Sequence, residues 1–121
     1  VILNTGSVAG LVGWGGGVYG ATKGAVHALT RSLAVEVAPD GIRVNAICPG
    51  AMPRTGFMAA GGMDISGDDL ESVVYHIGST IPLGRAISAE DCAEAALYLC
   101  SDTAANTTGV LLPVDGGYVA R

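Results

Sequence analysis

Two short apolar runs, Val1-Ile2-Leu3 and Ile42-Arg43-Val44-Asn45-Ala46-Ile47, flank about twenty residues with a four-residue apolar repeat. The first run passes through Asn4 and Thr5 into Gly6-Ser7, which is the pattern of a buried parallel strand bounded by glycine. From Val18 to about Val37, Ala21, Ala25, Leu29, Leu33 and Val37 recur every four residues, with Val26 alongside, and predict a helix. The small residues Ala21, Ala25 and Ala28 suit close packing, whereas Arg31 and Glu36 belong outside and His27 is expected on the helix surface. Pro39-Asp40-Gly41 stops this helix, and Cys48-Pro49-Gly50 breaks the second strand. A strand, a long helix and a strand make a right-handed crossover between parallel strands. The loops leaving both strands then share one carboxyl edge, where open α/β sheets gather functional groups. Ser7 and Pro49-Gly50 are placed at that edge.

Tyr19 and Lys23 lie four apart at the start of the helix and therefore on one face. A free phenol ionises far above neutrality. An ammonium about 4 Å from a phenolate attracts it by roughly 4 kcal/mol at an effective dielectric near 20. The pair is a candidate proton-transfer device. Lys23 is the only lysine in the chain, so it is not one of many solvated surface charges. The glycine-rich connection from Gly10 to Gly17, with Leu11, Val12 and Trp14, reads as a loop shaping a pocket.

Further along, Gly56, Gly61, Gly62 and Gly67 fragment the segment from Thr55 to Pro82. Within it, Asp68 to Ile77 predicts one short helix with Leu70, Val73, Val74 and Ile77 inward. The acidic residues Asp64, Asp68, Asp69 and Glu71 read as a solvated face rather than a metal site, and His76 as structural. Ser88-Ala89-Glu90-Asp91 opens a capped helix whose buried stripe is expected at Ala93, Ala96, Leu97 and Cys100. Val110 to Val114 predicts a last strand, which Pro113 restricts to a sheet edge or an irregular position.

Half of the 121 residues are hydrophobic and 14% are charged, which fits a buried α/β core rather than a disordered chain. A net charge of −5 without any Lys/Arg cluster argues against a nucleic-acid partner. No apolar run reaches membrane-spanning length. Cys48, Cys92 and Cys100 have no metal-type spacing to a histidine, which fits reduced thiols, a cytoplasmic setting and no bound metal.

Four ordered blocks carry a resemblance: Asn4-Thr5-Gly6-Ser7, Tyr19-Gly20-Ala21-Thr22-Lys23, Ile42 to Gly50, and Val114-Asp115-Gly116-Gly117. Together they are similar to the short-chain dehydrogenase/reductase family over essentially the whole chain. The resemblance implies an α/β fold, the C-terminal part of a Rossmann-type doubly wound parallel sheet. It also implies NAD or NADP as cofactor and a small-molecule carbonyl or alcohol as substrate. On this resemblance Tyr19 is the catalytic acid/base, Ser7 hydrogen-bonds the substrate oxygen, and Lys23 favours the Tyr19 phenolate and holds the nicotinamide ribose. Pro49, Gly50 and Met52 would line the nicotinamide, with Thr55 beside them. Thr55 comes five residues after Gly50, where the family more often has four.

The family's pyrophosphate loop, ribose-selecting residue, Asn-Asn-Ala-Gly block and catalytic Asn all precede the serine strand. The resemblance therefore implies that residues 1–121 are the C-terminal half of one domain, with a mobile substrate lid at about 55–82. It implies a homo-oligomer, a dimer or a tetramer, and no turnover by this stretch made alone. The competing expectation is a non-catalytic remnant or assembly module that keeps the fold without binding cofactor.

Overall fold

Strand β1 (Ile2–Thr5), helix α1 (Gly17–Glu36) and strand β2 (Val44–Pro49) form the expected crossover in the computed structural model, which describes residues 1–57 and 67–121. Helix α2 (Asp68–Ser79), helix α3 (Ala89–Cys100) and strand β3 (Leu111–Val114) follow. All three strands are parallel in the order β1-β2-β3, with Ile2 opposite Val44 and Ala46 opposite Leu111. The second strand starts and ends two residues later than the sequence suggests. Its last residues are held by β3, which pairs Pro113 with Cys48 and Val114 with Pro49. Pro113 sits on an edge strand, as its missing N–H requires.

The central strand is buried along its whole length, and alternation sends its side chains to two faces. Cys48 meets His27 of α1 on one face. Ile47 packs with Cys92 and Leu99 of α3, and with Ile87, on the other. Helices on both faces of a parallel sheet make this part of a Rossmann-type α/β fold. Burying a side chain such as Leu99, which is 1% exposed, contributes roughly 1.5–3 kcal/mol.

Two helix faces differ from expectation. On α1 the buried residues are His27, Thr30 and Ala34, while Ala21, Ala25 and Leu29 face outward and Leu33 is half-buried. Small residues at four-residue spacing carry little directional signal. Hydrogen bonds decided the face instead: Asn4 Nδ2 donates to Thr30 Oγ1 at 3.0 Å, and Thr30 Oγ1 donates to the Val26 carbonyl at 2.7 Å. His27 is thus in the interior at 3% exposure, not on the surface. On α3 the inward residues are Cys92 and Leu99 with Ala95 packed alongside, while Ala93, Leu97 and Cys100 are exposed and Ala96 is half-buried.

The start of α3 is as expected. Ser88 Oγ accepts from the Asp91 amide at 3.1 Å and Asp91 Oδ2 accepts from the Ser88 amide at 2.9 Å. The Arg85 guanidinium, with the Ser88 amide and hydroxyl, holds the Asp91 carboxyl well below the usual carboxylate range. Arg43 closes the other end, donating to the carbonyls of Leu99, Ser101 and Thr107 at 2.8, 3.0 and 3.1 Å. The Leu99 and Ser101 carbonyls lie at a helix end, where carbonyls lack intrahelical partners, and Thr107 ties in the loop that follows. On α2, Leu70, Val73, Val74 and Ile77 are half-buried as expected, and His76 is exposed. Gly61, Gly62 and Asp64 lie outside the described residues.

Candidate active site

The carboxyl edge of the sheet brings three segments together. The turn after β1 carries Ser7, the first turns of α1 carry Tyr19 and Lys23, and the chain leaving β2 carries Pro49, Gly50, Met52 and Thr55. All seven line one cleft of about 210 Å³.

Ser7 caps a short 3-10 turn, Val8–Gly10, with its Oγ accepting from the Ala9 amide at 3.2 Å. The residue is buried, yet its hydroxyl proton has no acceptor among the described residues. It is a donor available to a ligand in the cleft. Helix α1 approaches this turn closely: a Cβ at Gly20 would lie 2.9 Å from the Ala9 carbonyl oxygen. The glycine after Tyr19 therefore lets the first turns of α1 close on the serine turn.

Lys23 Nζ donates to the Thr5 carbonyl at 3.0 Å and stands 5.8 Å from the centre of the Tyr19 ring. An ammonium at that range is attracted by the ring face. The single lysine is thus tied to the end of β1. Two of its three protons remain for other acceptors.

The floor comes from β2 and its exit. A Cβ at Gly50 would lie 3.1 Å from Asp115 Cα, so this glycine admits the turn after β3. Buried Asp115 pins that turn, accepting from the Gly117 and Val119 amides at 2.9 Å each. Met52 Sδ lies 3.6 Å from Cys92 Sγ of α3. Thr55 Oγ1 donates to the Met52 carbonyl at 2.9 Å and shapes the next turn.

Trp14, from the loop expected to shape a pocket, lines the cleft. Sequence reasoning missed one aromatic wall, Phe57, and one buried ring. The Phe57 ring lies 5.7 Å from that of Tyr19 at a tilt of 54°, a favourable aromatic contact. The buried ring is His27. Its position was legible, because Tyr19, Lys23 and His27 continue one four-residue series. Burial holds the His27 pKa below its ordinary value. The Gly10 backbone opposes that, and the charges of Arg31 and Lys23 reinforce it. Burial likewise pushes the Cys48 thiol up to about 11.

A second cavity of about 330 Å³ adjoins the cleft, sharing Trp14 and Ala51 with it and extending to Ile77, Ile81 and Tyr118. Among the described residues no cluster of three His, Cys, Asp or Glu side chains could hold a metal ion. Glu71 of the expected acidic face pairs with Arg54 at 2.7 Å. No described helix is long and apolar enough to cross a membrane.

Known proteins match this arrangement. The family described as enoyl-(acyl carrier protein) reductase matches residues 1–119. The chain is 44% identical over 121 residues to 2-(S)-hydroxypropyl-CoM dehydrogenase 3 of Xanthobacter autotrophicus, covering 98% of this chain and 46% of the relative. It is 46% identical over 117 residues to a 3alpha-hydroxysteroid dehydrogenase of Mediterraneibacter gnavus, covering 96% and 43%. The chain thus spans about half the length of the curated relatives it matches. Among solved structures, an oxidoreductase of the short-chain dehydrogenase/reductase family from Burkholderia thailandensis superposes with a TM-score of 0.85 at 35% identity, over 99% of this chain and 45% of that one. ElxO with NADP bound superposes at 0.79 and 31% identity, over 99% and 46%. With the parallel sheet, the Ser7, Tyr19 and Lys23 cleft and these likenesses agreeing, the chain belongs to the short-chain dehydrogenase/reductase family of NAD(P)-dependent oxidoreductases.

Proposed function

We propose that the protein carrying this chain interconverts a secondary alcohol and a ketone with NAD or NADP, using Tyr19 as the general acid/base. The observation that carries this reading is the convergence of Ser7, Tyr19, Lys23, Pro49, Gly50, Met52 and Thr55 on one cleft. The relatives support the substrate class, since both printed names describe oxidation of a hydroxyl on a secondary carbon.

The cleft suits the reactive end of a dinucleotide. Its volume of about 210 Å³ is enough for a nicotinamide ring and a small carbonyl group, and below the 300 Å³ or more usual for a whole drug-sized ligand. Pro49, Gly50, Ala51 and Met52 give it an apolar floor. Lys23, in the same lining, offers its remaining protons for ribose hydroxyls. When bound, the nicotinamide supplies or takes up the hydride. The Ser7 hydroxyl donates to the substrate oxygen and orients it. The Tyr19 phenol gives its proton to that oxygen as a ketone is reduced, or takes it as an alcohol is oxidised. The Lys23 charge stabilises the phenolate left behind. Trp14 and Phe57 give the cleft an apolar side beside the reacting atoms. The adjoining cavity of about 330 Å³ leaves room for the rest of the substrate.

The same reading makes residues 1–121 the C-terminal half of one domain and the segment around 55–82 a cover over the cleft. It also gives the last strand, β3, and the helix before it, α3, a second copy of the chain as partner. The test is an assay of the complete natural chain with NAD⁺ and NADP⁺ against secondary alcohols such as 2,3-butanediol and hydroxysteroids. Turnover that falls at least tenfold in Ser7→Ala supports the reading. No turnover with any alcohol or ketone, together with no dinucleotide binding, favours the non-catalytic assembly module.

A further inference from the structure

His27 is the one buried titratable ring that the chemistry above does not use. The turn that carries Ser7 is wrapped around it. A Cβ at Gly6 would lie 2.5 Å from His27 Nε2 and 2.9 Å from Cys48 Sγ, and one at Gly10 would lie 2.6 Å from His27 Cε1. Both glycines are therefore needed to let the backbone close on the imidazole. Nε2 accepts the Ser7 amide at 3.4 Å and lies 3.3 Å from Cys48 Sγ. Cys48 immediately precedes the Pro49-Gly50 floor, and His27 stands one helical turn beyond Lys23 and two beyond Tyr19. One ring thus touches the serine turn and the strand that leads to the floor, from the helix that bears the tyrosine and lysine.

We propose that His27 is a positioning residue of the reaction: its neutral imidazole, accepting at Nε2 from the Ser7 amide, holds the serine turn in register with Tyr19 and the Pro49-Gly50 floor. The proposal rests on the roles of Ser7 and Tyr19 given above. A backbone N–H can only donate, so Nε2 must carry the lone pair and Nδ1 the proton. Nδ1 is buried without a formed hydrogen bond among the described residues, with the Gly10 backbone favouring a proton there. Protonating Nε2 would set two donors against each other and release the turn. The charged and titratable groups facing the ring are Lys23 and Arg31 from α1 and the Cys48 thiol from β2. The turn from Gly6 to Gly10 and strand β1 bring none. Both cations and the burial act against an imidazolium, so the holding form is the one present at neutral pH.

The test uses the complete natural chain and has two arms. In the first, ¹⁵N NMR of the histidine rings at pH 7 should show His27 as the neutral Nδ1–H tautomer, still neutral at pH 6. An Nε2–H tautomer or an imidazolium overturns the proposal, and this arm needs no variant. In the second, H27Q and H27L are compared with 2,3-butanediol as the probe. Gln keeps an acceptor near the Nε2 position, whereas Leu keeps only the volume. H27Q should stay within about threefold of the parent kcat. H27L should lose about tenfold or more, with the dinucleotide KM unchanged and the Ser7 amide resonance displaced. Equal loss in both variants, or none in H27L, overturns the proposal. A parent without turnover overturns the functional reading instead, and the ring tautomer and the Ser7 amide resonance then decide whether His27 holds the turn.

Discussion

Lys23 Nζ donates to the Thr5 carbonyl at 3.0 Å, so the helix that presents Tyr19 is clamped to the end of the strand that presents Ser7. The ammonium has a structural partner on one side and the cleft on the other. In Lys23→Met both connections go. The expected result is a rise of about tenfold or more in the dinucleotide KM and a fall of similar size in kcat, with a stability loss of only about 1 kcal/mol. Steady-state kinetics and urea unfolding measure the two parts. A variant with parental KM and kcat would remove Lys23 from the site.

The core test is Leu99→Ala. Leu99 is 1% exposed and packs with Ile47, Ile87 and Cys92 beneath the Met52 floor. Truncation removes buried methylenes and leaves a cavity, at a cost of about 2–5 kcal/mol. Urea denaturation of the complete natural chain should show a lower midpoint at unchanged slope.

Stability should depend on pH through His27 and Cys48. A depressed histidine pKa means that the unfolded chain binds a proton before the folded one does, so stability rises with pH in that interval. Thermal stability is therefore expected to fall as pH drops below about 6.5, the ordinary histidine pKa. A thiol raised to about 11 works in the opposite direction: the folded state keeps its proton longer. That contribution is intact below about 9 and is lost as pH climbs toward 11. Unfolding midpoints from pH 5 to 10.5 would show both limbs. His27→Gln should flatten the acid limb selectively.

Thiol reactivity separates the three cysteines. Cys48 and Cys92 are buried and burial raises both thiols, whereas Cys100 is exposed. A disulfide-exchange reagent at pH 8 should titrate Cys100 rapidly and the other two only on unfolding. Fast modification of Cys48 in the folded protein would mean that the His27 wedge is open.

What the sequence made legible was whatever rests on punctuation and direction. Gly6, the Pro39-Asp40-Gly41 stop and the Pro49-Gly50 break delimit a crossover, and a crossover has one hand. That alone places Ser7, Tyr19 and Pro49 at one edge. Ser88 and Asp91 likewise announce a helix start through local hydrogen bonds, and the structure forms both of them. Helix facing was less legible. Ala21, Ala25 and Leu29 form an apolar row on α1 that the structure leaves exposed, while Thr30 and His27 go inside. The polar residues enter because Asn4, Ser7 and Cys48, all distant in sequence, satisfy them together with the Val26 carbonyl one turn back. Asn45 is similar: buried on β2, it donates to the Thr107 carbonyl and accepts from the Val110 amide. Phe57 joined Tyr19 through a loop whose path no periodicity describes.

The central claim is that Tyr19 carries the proton, and Tyr19→Phe tests it most directly because only the phenolic oxygen is removed. The measurement is kcat for alcohol oxidation by the complete natural chain, with dinucleotide binding followed by nicotinamide fluorescence. The account expects a fall in kcat of about 10²–10⁴, the span of a lost general acid/base, with dinucleotide affinity changed by less than about threefold. Turnover within a few-fold of the parent would contradict it.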